Sequence, residues 1–92
     1  MKELTEIRTE LDRIDGEITS LLLKRLALSA EVGEYKKATG RKVYDKDREA
    51  EKIGVLTGMT EDGFEKKFIA DIYEHILSCS REVQYMIITE NE

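Results

Sequence analysis

The stretch that decides the fold is LTEIRTELDRIDGEITSLLLKRLALSAEVGEYK, residues 4–36. Its apolar residues recur three and four positions apart, which places them on one face of an α-helix. The members of this face are Leu4, Ile7, Leu11, Ile14, Ile18, Leu21, Leu28, Val32 and Tyr35. No proline interrupts the pattern, and Gly40 is a natural C-terminal cap. We therefore predict one long helix over residues 3–38, in which Gly33 lets another backbone approach closely.

A short second helix is predicted after the connection TGRKVY. Asp45 is a suitable N-cap for residues 46–56, because its carboxylate can accept from a free backbone N–H of the first turn. Ala50, Ile53 and Leu56 then point inward at helical spacing.

A third helix is predicted over residues 61–88. Thr60 is its expected N-cap, with the acids Glu61 and Asp62 in the first turn, where the helix dipole favours them. Its apolar stripe consists of Phe64, Phe68, Ile72, Ile76, Cys79, Val83 and Ile87. Residues 88–92 are expected to fray, and no strand pattern appears. The predicted fold class is all-α, with a long, a short and a medium-long helix in one domain, residues 1–92.

Composition narrows the classes of function. With 15 basic and 20 acidic side chains, the net charge is −5, which argues against binding nucleic acid or an anionic membrane. No apolar run approaches ~20 residues, and MKELTEIRTELD has no signal-peptide core, so a soluble cytoplasmic protein is expected. One cysteine and one histidine exclude an internal disulfide and a usual zinc site, so no metal is expected.

The predicted first helix is too long for one compact chain. At ~1.5 Å per residue it extends about 54 Å, whereas a compact globule of this length is about 32 Å across. The remaining residues cannot cover it. We therefore predict an obligate helical oligomer, most simply a dimer of identical chains.

Polar residues interrupt the apolar face of the first helix. The spacing requires an apolar residue at position 25 and finds Arg25, and Ser29 and Lys36 fall within about 40° of it. Arg8 lies at the margin of the same face, about 25 Å from Arg25 along the axis. Arg8 therefore cannot reach a ligand of Arg25 in its own chain, whereas Arg8 of the partner subunit can in an antiparallel dimer.

The later helices supply matching polar residues. Ser80 and Gln84 lie four residues apart on the flank of the third helix's stripe, and Arg48 and Glu49 follow the capped start of the second. Three of these polar residues also have an ordinary structural explanation. Arg25 can form a buried salt bridge or snorkel, and Ser80 and Gln84 can form interhelical hydrogen bonds. Together they favour a polar pocket for a small, doubly anionic ligand.

This pocket contains no evident nucleophile. His75 has no serine–acid arrangement around it, and Cys79 lies on the apolar stripe, where a packed small hydrophobe is expected. There is no Walker-type loop or dinucleotide fingerprint. Fixed cations and neutral hydrogen-bond donors fit catalysis by electrostatics and by control of the substrate's conformation.

The chain resembles the all-helical (AroQ) class of chorismate mutases over about residues 4–86. The matching segments are IRTELDRID with Arg8 and Asp15, LLLKRLALSAEVGEYK with Arg25, Gly33 and Lys36, VYDKDREAE with Asp45, Arg48 and Glu49, and SREVQ with Ser80 and Gln84. Their order and spacing together are specific. The connection departs from the family at Lys42, where proline is frequent, and at Tyr44, where arginine is common.

The resemblance implies an intertwined homodimer with two equivalent sites. It implies the Claisen rearrangement of chorismate to prephenate, on the route to phenylalanine and tyrosine, without cofactor or metal. By the same resemblance, Arg25 and Arg48 bind the two substrate carboxylates together with Arg8 of the partner subunit.

The resemblance also implies the remaining roles. Lys36 and Gln84 would donate hydrogen bonds to the ether oxygen, where negative charge develops as the C–O bond breaks. Glu49 would accept from the ring hydroxyl, and Ser80 and the backbone near Asp45 would line the pocket. The catalytic residues expected on this basis are Arg25, Lys36, Glu49 and Gln84.

Two other functions stay open at this point. An isochorismate–pyruvate lyase shares the fold and much of the cationic set, since one pocket can orient either pericyclic reaction. A non-catalytic helical dimerisation or regulatory module would instead place Arg8 and Arg25 in interhelical salt bridges.

Overall fold

The computed structural model describes residues 1–90, which form three α-helices: α1 Leu4–Thr39, α2 Lys46–Thr57 and α3 Gly63–Thr89. The predicted all-α class and the order of a long, a short and a medium-long helix are confirmed. Every predicted boundary lies within two residues of the observed one. Residues 91–92, part of the end that is expected to fray, lie outside the described residues.

Two predicted helix caps are confirmed. Gly40 ends α1 with left-handed backbone at φ 73°, and its N–H donates to the Lys36 carbonyl oxygen at 2.8 Å. A residue with a Cβ atom would be strained in that conformation. Asp45 caps α2, where its carboxylate accepts from the backbone N–H of Arg48 at 3.0 Å. The two caps fix both ends of the connection between α1 and α2.

The predicted N-cap of α3, Thr60, is wrong. Asp62 caps this helix, because its carboxylate accepts from the backbone N–H groups of Phe64 and Glu65 at 2.8 and 3.0 Å. The residues Glu61 and Asp62 therefore precede the first turn. The Thr60 hydroxyl donates to the Glu65 carboxylate instead. Asp62 is the stronger cap, since one carboxylate oxygen satisfies two free N–H groups.

The chain is elongated. Its extents are 56 × 26 × 14 Å and its radius of gyration is 16.7 Å, against about 12 Å for a compact chain of this length. α3 packs against both α1 and α2, but it reaches only the C-terminal half of α1, and residues 1–21 are all exposed. The expectation that one chain cannot cover its first helix is confirmed.

One copy of the chain buries few apolar side chains. Val43 and Leu77 are the only buried hydrophobic residues in the described range, and Ile53 and Leu56 of α2 are half-buried. Ala50, which helical spacing points inward, is exposed, because α3 covers only one side of α2. The accessible surface is 7535 Å², whereas a compact chain of this mass exposes about 5,500 Å².

The stripe predicted on α3 is only partly buried. Its first three members, Phe64, Phe68 and Ile72, are 78%, 57% and 55% exposed. The residues that α3 buries are instead Leu77, Ser80 and Gln84. Ser80 and Gln84, which the helical spacing places on the flank of the apolar stripe, therefore lie at the centre of the contact between α3 and α1.

Candidate functional site

A cavity of about 190 Å³ lies where α1, α2, α3 and the connection between α1 and α2 meet. It brings together every site residue predicted from within one chain: Arg25, Lys36, Asp45, Arg48, Glu49, Ser80 and Gln84. Its other lining residues are Val32, Val43, Lys52, Leu77 and Arg81. Five cationic side chains and two carboxylates thus surround one cavity in a protein of net charge −5.

Arg8 does not line this cavity. It is exposed on the N-terminal half of α1, about 25 Å along the helix axis from Arg25. Because α1 runs without a break between these two residues, one chain cannot bring Arg8 to its own cavity. Only Arg8 of a partner subunit is left as a candidate for that role.

Close packing of α1 on α3 sets one wall of the cavity. Gly33 is buried, and a Cβ atom built on it would lie 3.1 Å from Gln84 Cα and 3.1 Å from Ile87 Cβ. The predicted close backbone approach at Gly33 is confirmed. Since Lys36 follows Gly33 by about one helical turn, this approach brings Gln84 and Lys36 to the same cavity.

Ser29 and Ser80 join the two helices through a hydroxyl–hydroxyl hydrogen bond of 2.6 Å, and both are buried. Ser29 Oγ also donates to the Arg25 carbonyl oxygen at 2.9 Å. Because a hydroxyl has one proton, Ser80 must be the donor to Ser29. The interhelical hydrogen bond considered for Ser80 is therefore present, and it leaves only the acceptor lone pairs of Ser80 for the cavity.

The amide of Gln84, by contrast, makes no interhelical hydrogen bond within the described residues. Gln84 is 7% exposed, and its Oε1 atom is buried without a partner in residues 1–90. A buried unpaired acceptor costs about 1–3 kcal/mol, and native structures keep few of them. The Oε1 atom is therefore available to accept from a ligand in the cavity, and the amide NH₂ group, which also bonds to no other side chain in these residues, is available to donate.

Lys36 links α1 to the connection that follows it. Its Nζ atom donates to the Val43 carbonyl oxygen at 2.8 Å, and the Val43 side chain is buried. An ammonium group has three N–H donors, so two of them remain for a ligand. The contact with Val43 holds those two donors in place at the cavity wall.

Arg25 and Arg48 have no carboxylate within ion-pair distance in residues 1–90, and neither has Lys52. The buried salt bridge considered for Arg25 is thus absent from this part of the chain. A half-buried cation such as Arg25 is costly without an anionic partner. Guanidinium groups hold carboxylates through two parallel N–H···O bonds, so the cavity fits a small molecule with two carboxylates.

Two lining cations, Lys52 and Arg81, are not identified from the sequence. Lys52 is four residues after Arg48 and shares its helix face, which is a signal that could have found it. Arg81 donates to the Glu49 carboxylate, and its guanidinium lies 4.8 Å over the Tyr44 ring. The hydrogen bond to Glu49 raises the pKa of Arg81 above its ordinary value, although burial acts to lower it.

His75 and Cys79 do not line the cationic cavity. Both line a neighbouring, mostly apolar cavity of about 230 Å³ with Leu22, Leu26, Ile76 and Arg25, and Arg25 lines both cavities. Within residues 1–90, no three His, Cys, Asp or Glu side chains are grouped so that they could hold a metal ion. No helix in the same range has both the length and the apolar character needed to span a membrane.

The fold and the site thus define an all-helical chain with a cavity lined mainly by cationic side chains. A family model described as chorismate mutase type II matches residues 7–85. The chain is a member of the chorismate mutase type II family, as the resemblance in its sequence indicates.

Individual relatives agree with this assignment. The chain is 40% identical to the T-protein of Enterobacter agglomerans over 70 residues, 65% of its length. It is 35% identical to the bifunctional chorismate mutase/prephenate dehydratase of Aquifex aeolicus over 91 residues, 95% of its length. It is 32% identical to the T-protein of Haemophilus influenzae over 83 residues, 79% of its length. The matches cover 19%, 25% and 22% of these relatives, so the chain spans a quarter of their length or less.

Proposed function

We propose that residues 1–92 form a single chorismate mutase domain, which converts chorismate to prephenate in phenylalanine and tyrosine biosynthesis. Family membership supports this reaction, and the Aquifex aeolicus relative carries the activity in its name. The observation that carries the proposal is a single cavity lined both by Arg25, which has no ion-pair partner in residues 1–90, and by Gln84, whose buried Oε1 atom has no hydrogen-bond partner there. A cytoplasmic location belongs to the same proposal.

The first task of the site is to hold the two carboxylates of the substrate. Arg25 and Arg48 would each form a charge-assisted pair with a carboxylate, and Arg8 of the partner subunit would complete the set. Fixing both ends of the substrate holds it in the bent conformation in which the two bonding carbons meet. The smallest rate accelerations by enzymes correspond to lowering the activation free energy by about 8 kcal/mol. Restricting the conformation of the substrate would supply part of that lowering.

The second task is to stabilise the charge that develops during the rearrangement. One C–O bond breaks and one C–C bond forms within a single molecule, so no proton or electron has to be supplied. Lys36 and Gln84 would donate to the ether oxygen as negative charge develops on it. Each preorganised donor can contribute about 3 kcal/mol. The hydrogen bond from Lys36 to Val43 supports this role, because it holds the ammonium before substrate arrives.

The remaining lining residues would orient the ring. Glu49 would accept from the ring hydroxyl. Ser80 can accept but not donate, since its proton is used by Ser29, so it complements a hydroxyl better than a carboxylate. The backbone near Asp45 lies at the start of α2, where the helix dipole favours an anion.

We propose that the functional unit is an intertwined homodimer. The chain exposes 7535 Å², about 2,000 Å² more than a compact chain of its mass. Two chains together have an excess of about 4,000 Å², and obligate homodimer interfaces bury about 2,000–5,000 Å² in total, so the contact between two copies accounts for the excess. The uncovered half of α1 carries both the exposed apolar face and Arg8, so the same contact would deliver Arg8 of the partner subunit to the cavity.

The test is the loss of chorismate absorbance, measured with the wild type, Arg25→Ala and Arg13→Ala. Arg13 is the matched control, because it is an exposed arginine of α1 that pairs with Glu17 outside the cavity. Removing a partner of a buried charge pair costs about 2–5 kcal/mol. We therefore expect Arg25→Ala to lose about 30-fold or more in kcat/KM and Arg13→Ala to keep wild-type activity. Wild-type turnover by Arg25→Ala would contradict the proposed site.

Two further measurements distinguish the mutase from a lyase and from a non-catalytic module. Release of pyruvate from isochorismate, with no loss of chorismate, would identify a lyase. A non-catalytic module would show no change in Tm with a dianionic bicyclic mimic of the transition state, whereas the mutase would be stabilised increasingly with mimic concentration.

A further inference from the structure

Arg81 connects three parts of the molecule. It belongs to α3, it donates through Nη1 to Oε1 of Glu49 on α2, and its guanidinium lies 4.8 Å over the ring of Tyr44 in the connection. Tyr44 is one of the positions at which the chain departs from the family pattern. The departure therefore has a structural consequence, since the tyrosine ring supplies a face on which the guanidinium can stack.

The ion pair of Arg81 and Glu49 differs from the other pairs in residues 1–90. The side chains of Arg81 and Glu49 are 27% and 19% exposed, whereas those of Arg13 and Glu17 are 65% and 63% exposed. An exposed pair contributes little, but a sheltered pair with a stacked guanidinium has a defined geometry. Both Arg81 and Glu49 also line the cationic cavity.

Only one oxygen of the Glu49 carboxylate is used by this pair. Arg81 donates to Oε1, and Oε2 accepts no hydrogen bond in the described part of the chain. A free carboxylate on a side chain with three rotatable bonds would sample several rotamers. The contact with Arg81 fixes one oxygen and thereby the direction in which the other one points.

We propose that Arg81 is a positioning residue, which orients Glu49 so that its second oxygen accepts from the ring hydroxyl of the substrate. The ring of Tyr44, 4.8 Å from the guanidinium, helps to hold it in place. This inference rests on the proposed function, because the hydroxyl that Glu49 would bind is that of chorismate. It makes Arg81 a determinant of specificity for the hydroxylated ring, acting through Glu49 without touching the substrate.

A double-mutant cycle tests the inference. Wild type, Arg81→Met, Glu49→Gln and the double variant are assayed with chorismate, with Arg13→Met as the matched control. We expect Arg81→Met to lower kcat/KM by about tenfold and to have no further effect when Glu49 is already replaced. Arg81→Lys should recover part of the loss, because lysine keeps the charge but lacks the planar group that stacks on Tyr44.

A chorismate analogue that lacks the ring hydroxyl gives a second readout. Wild type and Arg81→Met should convert it at equal rates, since Glu49 then has nothing to bind. If the role of Arg81 were purely structural, Arg81→Met would be slower than the wild type with chorismate and with the analogue alike. If Arg81→Met does not fold, Tyr44→Leu replaces it in the cycle and should show a smaller loss that also requires Glu49.

The outcomes distinguish the two proposals. Multiplicative losses in the cycle, with the loss retained on the analogue, would mean that Arg81 contacts the substrate directly, and would overturn this inference while leaving the mutase assignment intact. A wild-type chain that does not convert chorismate would overturn the mutase assignment and the inference together.

Discussion

Gly33 of α1 lies against the backbone of Gln84 in α3, with no side chain between them. A methyl group at Gly33 would stand 3.1 Å from Gln84 Cα and 3.4 Å from the Gln84 carbonyl oxygen. Two of the three nearest atoms are backbone atoms of a helix, which cannot shift alone. The position of Gln84 in the cavity therefore depends on the absence of a side chain at Gly33.

Gly33→Ala should lower both stability and activity. Alanine gains about 1 kcal/mol in helix propensity over glycine, but overpacking costs about 1–3 kcal/mol and displaces Gln84. We expect a lower Tm and a kcat/KM reduced by about tenfold. Gly16→Ala is the control, because a Cβ atom there meets nothing within 4 Å, and it should only gain stability. A Gly33→Ala protein with wild-type kcat/KM would show that the close approach does not position Gln84.

Ser29→Ala should destabilise the contact between α1 and α3. The substitution removes the hydrogen bond that Ser29 donates to the Arg25 carbonyl oxygen and the one that it accepts from Ser80, and it leaves the buried Ser80 hydroxyl without its acceptor. The expected cost is about 1–3 kcal/mol in the free energy of unfolding, measured in urea. Ser20→Ala, the same change at an exposed position of α1, should be neutral. Equal stabilities for the two variants would contradict the proposed use of the Ser80 proton.

Gln84→Glu should make the reaction depend on pH. The neutral amide donates at any ordinary pH, so the wild-type rate is expected to be flat around neutrality. A glutamic acid donates only when protonated, and its ordinary pKa is about 4.3. The variant should therefore be fastest in acid and lose at least about tenfold by pH 8. A Gln84→Glu enzyme with full activity at pH 8 would contradict the assigned donor role.

Leu11→Asp should weaken the association of two chains. Leu11 is 51% exposed in the single chain, and the proposed dimer buries it, so a carboxylate there would be desolvated without a partner. We expect sedimentation to show monomer at concentrations where the wild type is dimeric, with a matching fall in activity. Ser20→Asp, on the opposite face of α1, is the control and should remain dimeric. Unchanged sedimentation of Leu11→Asp would place the interface elsewhere.

The helices follow from local rules and are therefore predictable from the sequence. The periodicity and the lack of proline define α1, while Gly40 and Asp45 mark boundaries that the structure confirms. Thr60 fails as a cap because Asp62 is available two residues later and accepts from two N–H groups. Which of the two side chains caps α3 depends on the local backbone geometry, and the spacing of residues in the sequence does not determine that geometry.

The candidate site is predictable where residues are out of place in a pattern. Arg25 interrupts an apolar face, and Gln84 lies beside an apolar stripe, so both are visible in the sequence. Arg81 and Lys52 do not interrupt an apolar pattern, because each occupies a helix position where a cationic side chain is ordinary. The role of Arg81 depends on how α2 packs on α3, which brings Glu49 within its reach, and this is a tertiary property.

Mixing two inactive variants tests the central claim most directly. Arg8→Ala and Arg25→Ala are each expected to be inactive, because every site in either homodimer lacks one guanidinium. When the two chains are co-refolded in equal amounts, half of the dimers are mixed. Each mixed dimer contains one site with Arg25 of one chain and Arg8 of the partner subunit, so about one quarter of wild-type activity should return. A mixture as inactive as its components would contradict a site shared between two chains.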